Sequence, residues 1–238
     1  RPPALVGLVK LRDQPGPLSA DAGTRLETAL AEQGGAACHG PRVAWGAFAG
    51  KRTAAGKGWV SGSLGFAAAG LELLRRGIDP GNAAFARFRE QHLNPRARVE
   101  LGSRLAASGL IQAMMDLSDG LATDLAHLCK QSGVGAHLLG RDLPGVTDLV
   151  EAARLTGADP EQWAIGGGED YELLFTARPG AFSSLLAIGN QCGVPLTPVG
   201  TVVEGEGVTL IRQQPEGGRE EIAIAYQGFD HFRNRAGG

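Results

Sequence analysis

The sequence predicts a mixed α/β protein in which a sheet is covered by helices. Two features carry that expectation: short β-branched or apolar runs alternate with longer stretches whose leucines recur at helical spacing, and 37 glycines punctuate the boundaries. A chain of 238 residues with 43% hydrophobic content has material for a large core, as one big or two ordinary domains.

Taken in order, residues 4–11 read as an apolar strand, 24–32 as a helix facing inward through Leu26, Ala29 and Leu30, and 43–48 as the next strand. Further helices are expected at 64–76, 81–91, 99–107, 121–131, 149–155 and 181–190, with Asp79-Pro80 and Asp159-Pro160 as turn or helix-start signals. Strands are expected at 59–61, 112–115, 136–139, 172–177, 197–203, 208–212 and 221–225. Leu71, Leu74, Phe85, Phe88, Leu125, Leu128, Leu149 and Leu155 are the predicted core.

Composition excludes several classes. A net charge of -2 gives no electrostatic footprint for nucleic acid, and 5% aromatic residues leave little for base stacking. No apolar run approaches the roughly 18 residues of a membrane helix, and no signal peptide precedes the first strand. Cys38, Cys129 and Cys192 are widely spaced with no C-x-x-C, which suggests neither a disulfide framework nor a zinc site; the default location is the cytoplasm.

Chemistry concentrates in two places. Residues 116–121, Asp-Leu-Ser-Asp-Gly-Leu, put two carboxylates and a hydroxyl where an apolar strand gives way to a helix. Mg²⁺ takes hard oxygen ligands, commonly one or two carboxylates completed by phosphate and water, and a helix N-terminus favours phosphate. The simpler reading, in which Asp116 or Ser118 merely caps the helix, stays open at this point. Residues 166–177 run three glycines into Glu169 and Asp170 and then into an apolar strand. A glycine run suits close approach of a ligand; an acidic pair on a solvated turn is the alternative.

Together the two motifs resemble the thiamine-monophosphate kinases of the PurM-like superfamily. Also similar are the Trp59-Val60-Ser61-Gly62-Ser63-Leu64-Gly65 turn, His92-Leu93-Asn94-Pro95, Ser132-Gly133-Val134-Gly135-Ala136, Leu143-Pro144 and Gly228-Phe229-Asp230-His231-Phe232. The resemblance implies a PurM-like two-domain architecture: residues 1–57 as the remnant of an N-terminal nucleotide-binding and dimerisation domain, and 58–238 as the C-terminal domain. Arg1-Pro2-Pro3 leads directly into a strand without an initiator Met, so an upstream portion is expected, and the resemblance implies that it carries further acidic metal ligands and part of the nucleotide site.

The implied activity is ATP-dependent, Mg²⁺-assisted phosphorylation of thiamine monophosphate to thiamine diphosphate by a homodimer. The alternatives are another ATP-dependent superfamily member or a noncatalytic nucleotide-binding relative. By resemblance, Asp116 and Asp119 hold Mg²⁺, while Ser118 and Arg52 contact ATP phosphates. Glu169, Asp170, Phe229 and Phe232 meet the acceptor, and no residue is assigned as acid or base. Glu169 and Asp170 lie about fifty residues from the first motif in sequence and follow a flexible glycine run suited to closing over a second ligand, so they are expected to govern the acceptor and not the nucleotide. One departure is visible: Cys38-His39-Gly40-Pro41-Arg42 stands where the family has Gly-Gly-Asp-Thr, whose Asp helps hold magnesium.

Overall fold

The computed structural model describes residues 56–78, 81, 83–214 and 218–224. The expected elements before residue 56, the departure at 38–42, Arg52, Phe229 and Phe232 lie outside the described residues.

In chain order the elements are β1 (Lys57–Ser61), α1 (Phe66–Arg76), α2 (Ala83–Leu93), α3 (Val99–Ala107), β2 (Ile111–Asp116), α4 (Leu121–Ser132) and β3 (Gly135–Leu139). A short 3-10 turn (Gly140–Asp142) leads to α5 (Val146–Thr156), α6 (Pro160–Gly166), β4 (Leu173–Ala177), α7 (Phe182–Cys192), β5 (Leu196–Val203), β6 (Gly207–Gln213) and β7 (Arg219–Ile224). The strands form one mixed seven-stranded sheet in the order β2-β4-β1-β5-β3-β6-β7. Every pairing is antiparallel except β3 with β6.

Period-two alternation divides the sheet between two cores. Val60, Ala113 and Leu174 face one side, where α4 covers them with Leu121, Leu125 and Leu128 and α6 adds Ala164 and Ile165. Trp59, Met114 and Phe175 face the other, under Leu101 and Leu105 of α3 and Leu185 of α7. Trp59 and Phe175 are cross-strand partners, and their rings stack at 6.3 Å. All five residues of β4 are buried, as a strand covered on both faces requires, which explains why its sequence is apolar at every position but Thr176.

A third cluster packs α1, α2 and α5 together through Phe66, Ala69, Leu73, Phe85, Phe88, Leu149 and Ala152. Here three core expectations are corrected: Leu71 is only partly buried and joins none of the three clusters. Leu74 and Leu155 are partly exposed, at 37% and 38%, while Leu73 is fully buried. The inward stripe of α1 runs Phe66, Ala69, Gly70 and Leu73, and periodicity alone does not choose between the adjacent Leu73 and Leu74.

Helix α6 was expected only as a turn or helix start. Asp159 caps it by accepting from the Glu161 N–H at 2.9 Å, and Pro160 occupies its first turn. The helix ends inside the triple glycine, at Gly166.

Helices α1 and α2 cross so closely that a Cβ on Gly70 would lie 2.1 Å from the Phe88 carbonyl oxygen. Backbone at that distance cannot swing aside as a side-chain tip can. Gly70→Ala is therefore expected to destabilise the protein by about 1–3 kcal/mol through overpacking, read as a lower urea midpoint, whereas an unchanged midpoint would contradict the crossing.

Candidate active site

The two acidic motifs meet. Strand β2 pairs antiparallel with β4, with Asp116 opposite Leu173, and the pairing continues past the strand ends. Leu117 N–H donates to the Glu172 carbonyl at 2.8 Å, Tyr171 N–H to the Leu117 carbonyl at 2.9 Å, and Glu169 N–H to the Ser118 carbonyl at 2.8 Å. The buried Leu117 side chain fastens this junction to the core.

The two motifs, about fifty residues apart in sequence, are thus joined in space, and the glycine run lies against the first loop. A Cβ on Gly168 would lie 2.6 Å from the Ser118 carbonyl oxygen, so this glycine permits close approach of two backbones.

In the first loop, Asp116 is half-buried at the end of β2 and Asp119 is exposed. Neither Asp116 nor Ser118 caps α4, because the N-cap position is Gly120 and no side chain bonds to it there. The fixing group is Asp124, in the first turn of α4 and 1% exposed, whose Oδ2 accepts the N–H groups of Ser118 (3.0 Å) and Asp119 (3.1 Å). Burial pushes the Asp124 carboxyl up to about 7; the nearby charges of Asp119 and Asp116 add to the rise and the two backbone N–H bonds oppose it. Three carboxylates thus lie within electrostatic reach at one strand end.

Among the described residues, no three His, Cys, Asp or Glu side chains form a metal-binding group by themselves. The donors suit Mg²⁺ on other grounds. Asp116 and Asp119 offer hard oxygens, with Asp119 open to solvent, and Mg²⁺ characteristically completes its shell with phosphate and water.

The second loop separates its acids. Glu169 is 60% exposed, and its backbone is left-handed at φ 66, as is Tyr171 at φ 50. Asp170 between them is 2% exposed, and its two oxygens accept the N–H groups of Gly65 (2.6 Å) and Ala67 (3.0 Å) at the start of α1. The expected contact between Asp170 and an acceptor does not match this placement, since the carboxylate acts as a distant cap for α1. Burial raises it to about 7 against the pull of those N–H bonds.

Glu172, also 2% exposed, accepts from Ser61 Oγ and from both Nε (2.8 Å) and an NH2 nitrogen (2.5 Å) of Arg98. The bidentate pair ties the start of α3 to the residue before β4, and Ser61 joins the end of β1 to the same carboxylate. A cleft of about 540 Å³ opens beside it, lined by Ser63, Phe66, Arg87, Gln91, Arg96 and Arg98 among others; Asp116, Asp119 and Glu169 do not line it.

The structure brings Asp116, Ser118, Asp119 and Glu169 to one strand junction, and Asp124, absent from the expected site residues, anchors the first loop. The available signal was an Asp in the first turn of a helix that follows an acidic loop. Glu172 and Arg98 carried no local signal, because they meet across 74 residues.

The sheet order, the helical cover on both faces and the joined acidic loops define the class to which comparison then gives a name. Residues 59–213 match the model of the AIR synthase related protein, C-terminal domain, and the chain belongs to that family. It is 35% identical over 175 residues to the thiamine-monophosphate kinase of Haemophilus influenzae, covering 74% of this chain and 52% of the relative. With the Escherichia coli K12 thiamine-monophosphate kinase it shares 35% identity over 179 residues, 73% of this chain and 51% of the relative.

Among solved structures, the thiamine-monophosphate kinase of Stenotrophomonas maltophilia superposes with a TM-score of 0.61 at 36% identity, covering 66% of this chain and 50% of that one. A ThiL structure complexed with AMPPCP and TMP gives 0.57 at 32% identity, covering 73% and 52%. The chain spans about half the length of the curated relatives it matches.

Asp170 makes a pH prediction. Folding raises its carboxyl from 3.8 to about 7, so between those values the folded state holds more protons than the unfolded state. Its contribution to stability therefore falls as pH rises from about 4 to about 7, and is flat beyond. Asp170→Asn should remove that downward slope, shown by urea melts of both proteins across the range; identical slopes would contradict an ionisation shifted by burial.

Proposed function

We propose that the protein transfers the γ-phosphoryl group of ATP to the phosphate of thiamine monophosphate, giving thiamine diphosphate. The observation that carries this reading is the hydrogen-bonded union of the two acidic loops, which sets Asp116, Ser118 and Asp119 beside the exposed Glu169. The names of the relatives at 35% identity, and the relative complexed with AMPPCP and TMP, support it.

An attack of one phosphate oxygen on another phosphorus needs little covalent help, because the nucleophile is already anionic; the site's work is to neutralise charge and to position. Accordingly no side chain is assigned as acid or base. Bound Mg²⁺ supplies charge neutralisation across the phosphates. Asp116 and Asp119 are the side chains that hold it, on a loop braced by Asp124. The Ser118 hydroxyl donates to a nucleotide phosphate. Glu169 meets the acceptor's cationic thiazolium or its aminopyrimidine, an attraction strengthened where water is partly excluded.

Arg52 is assigned to an ATP phosphate, and Phe229 or Phe232 to the flat face of the acceptor, where an aromatic ring suits a cation. These three remain assignments by resemblance. So do the division at residues 57 and 58, the homodimer and the cytoplasmic setting; among the described residues no helix is long and apolar enough to cross a membrane.

Asp119→Asn removes one charge from an exposed loop position and little packing. It should lower thiamine diphosphate formation by about a hundredfold or more with an unchanged melting curve; full activity would remove Asp119 from the metal role. Calorimetry should also show Mg-ATP binding more tightly than ATP in EDTA, since these acids repel bare triphosphate and the ion reverses that sign. Metal-dependent binding without product would favour a noncatalytic nucleotide-binding protein instead.

A further inference from the structure

We propose that the last turn of α2 is a positioning element for the acceptor side of the site, with Gln91 fixing the backbone of the second acidic loop and His92 orienting the Glu169 carboxylate. Gln91 Nε2 donates to the Asp170 carbonyl at 2.7 Å. One residue on, His92 Nδ1 lies 3.7 Å from Glu169 Oε2, with the imidazole only 18% exposed. Two consecutive helical residues thus meet two consecutive loop residues.

The loop needs such support. Glu169 and Tyr171 are the two non-glycine residues with positive φ among those described, and a left-handed backbone at such residues persists only where the surroundings over-determine it. Between them Asp170 is clamped at both ends: its carboxylate by α1, its carbonyl by Gln91 of α2.

The clamp is stiff because α1 and α2 are packed on one another. Phe66 meets Phe88 edge to face at 4.7 Å, and Gly70 lies against the Phe88 carbonyl. His92 is therefore held by the same helix pair that holds Asp170. An exposed Glu side chain otherwise samples many rotamers, and a largely buried imidazole 3.7 Å away restricts them before any ligand arrives. The contact is too long for a hydrogen bond, so the effect expected is steering of the carboxylate.

This inference rests on the reading of Glu169 as the acceptor's partner, and the test separates the two. In the full-length protein, Michaelis constants for thiamine monophosphate and for Mg-ATP are measured in the wild type, His92→Ala, Glu169→Gln and the double variant, each with a melting curve. His92→Ala is expected to raise the acceptor KM about three- to tenfold with the ATP KM unchanged, and to have no further effect once Glu169 is Gln.

An equal rise in both backgrounds would show that His92 acts on structure without Glu169 and would overturn the inference alone, as would no rise at all. An unchanged acceptor KM in Glu169→Gln would overturn the acceptor reading and this inference with it. His92→Gln, which preserves bulk, replaces the alanine variant if the latter melts early. Gln91→Ala should also raise the acceptor KM, and a rise confined to the ATP KM would contradict the proposed direction of the brace.

Discussion

Antiparallel pairing of β2 with β4 is the constraint on which the site depends. Paired strands deliver their ends to the same place, and here one strand's C-terminal end meets the other's N-terminal end, so residues about fifty positions apart become neighbours. The three backbone hydrogen bonds beyond the ladder carry that pairing into the loops. Because β4 is buried on both faces, its register is fixed by the core: a one-residue slip would exchange Leu174 and Phe175 between two separately packed faces.

On that frame the acids divide into those that hold and those that present. Asp124, Asp170 and Glu172 are buried, and each spends its oxygens on protein donors: backbone N–H groups for the first two, Ser61 and Arg98 for the third. Buried carboxylates without such partners would cost several kcal/mol, by order of magnitude. Asp119 and Glu169 are left exposed, and Asp116 half-exposed, at the rim. The negative potential they create repels a bare polyanion, which is the electrostatic reason a cation belongs with any phosphate ligand here.

Much of the frame was legible in the sequence because local signals agree with the global fold. Helix α3 was bounded correctly by its own periodicity, and the strands from β1 to β7 were each anticipated within a few residues. Leu73 against Leu74 was not legible, since adjacent leucines satisfy the same spacing and only the α2 packing partner decides between them. Helix α6 was under-read because it is a seven-residue helix running into glycines. In the site, Asp116, Ser118, Asp119 and Glu169 announced themselves by residue type next to a strand end. Asp170 looked identical to Glu169 in sequence; left-handed backbone on either side turns one outward and the other into the N-terminus of α1. Contacts of that kind depend on tertiary closure, and no local pattern encodes them.

The two acidic loops form one hydrogen-bonded unit. Residue-resolved amide hydrogen exchange on the unliganded protein tests it most directly, because the Glu169 and Tyr171 N–H groups lie in loops and have partners only if the loops are joined. Both amides should exchange as slowly as those within β4, and both should be released together in Asp124→Asn, where the brace on residues 118 and 119 is weakened. Exchange of Glu169 and Tyr171 at the rate of open loop amides in the wild-type protein would contradict the account.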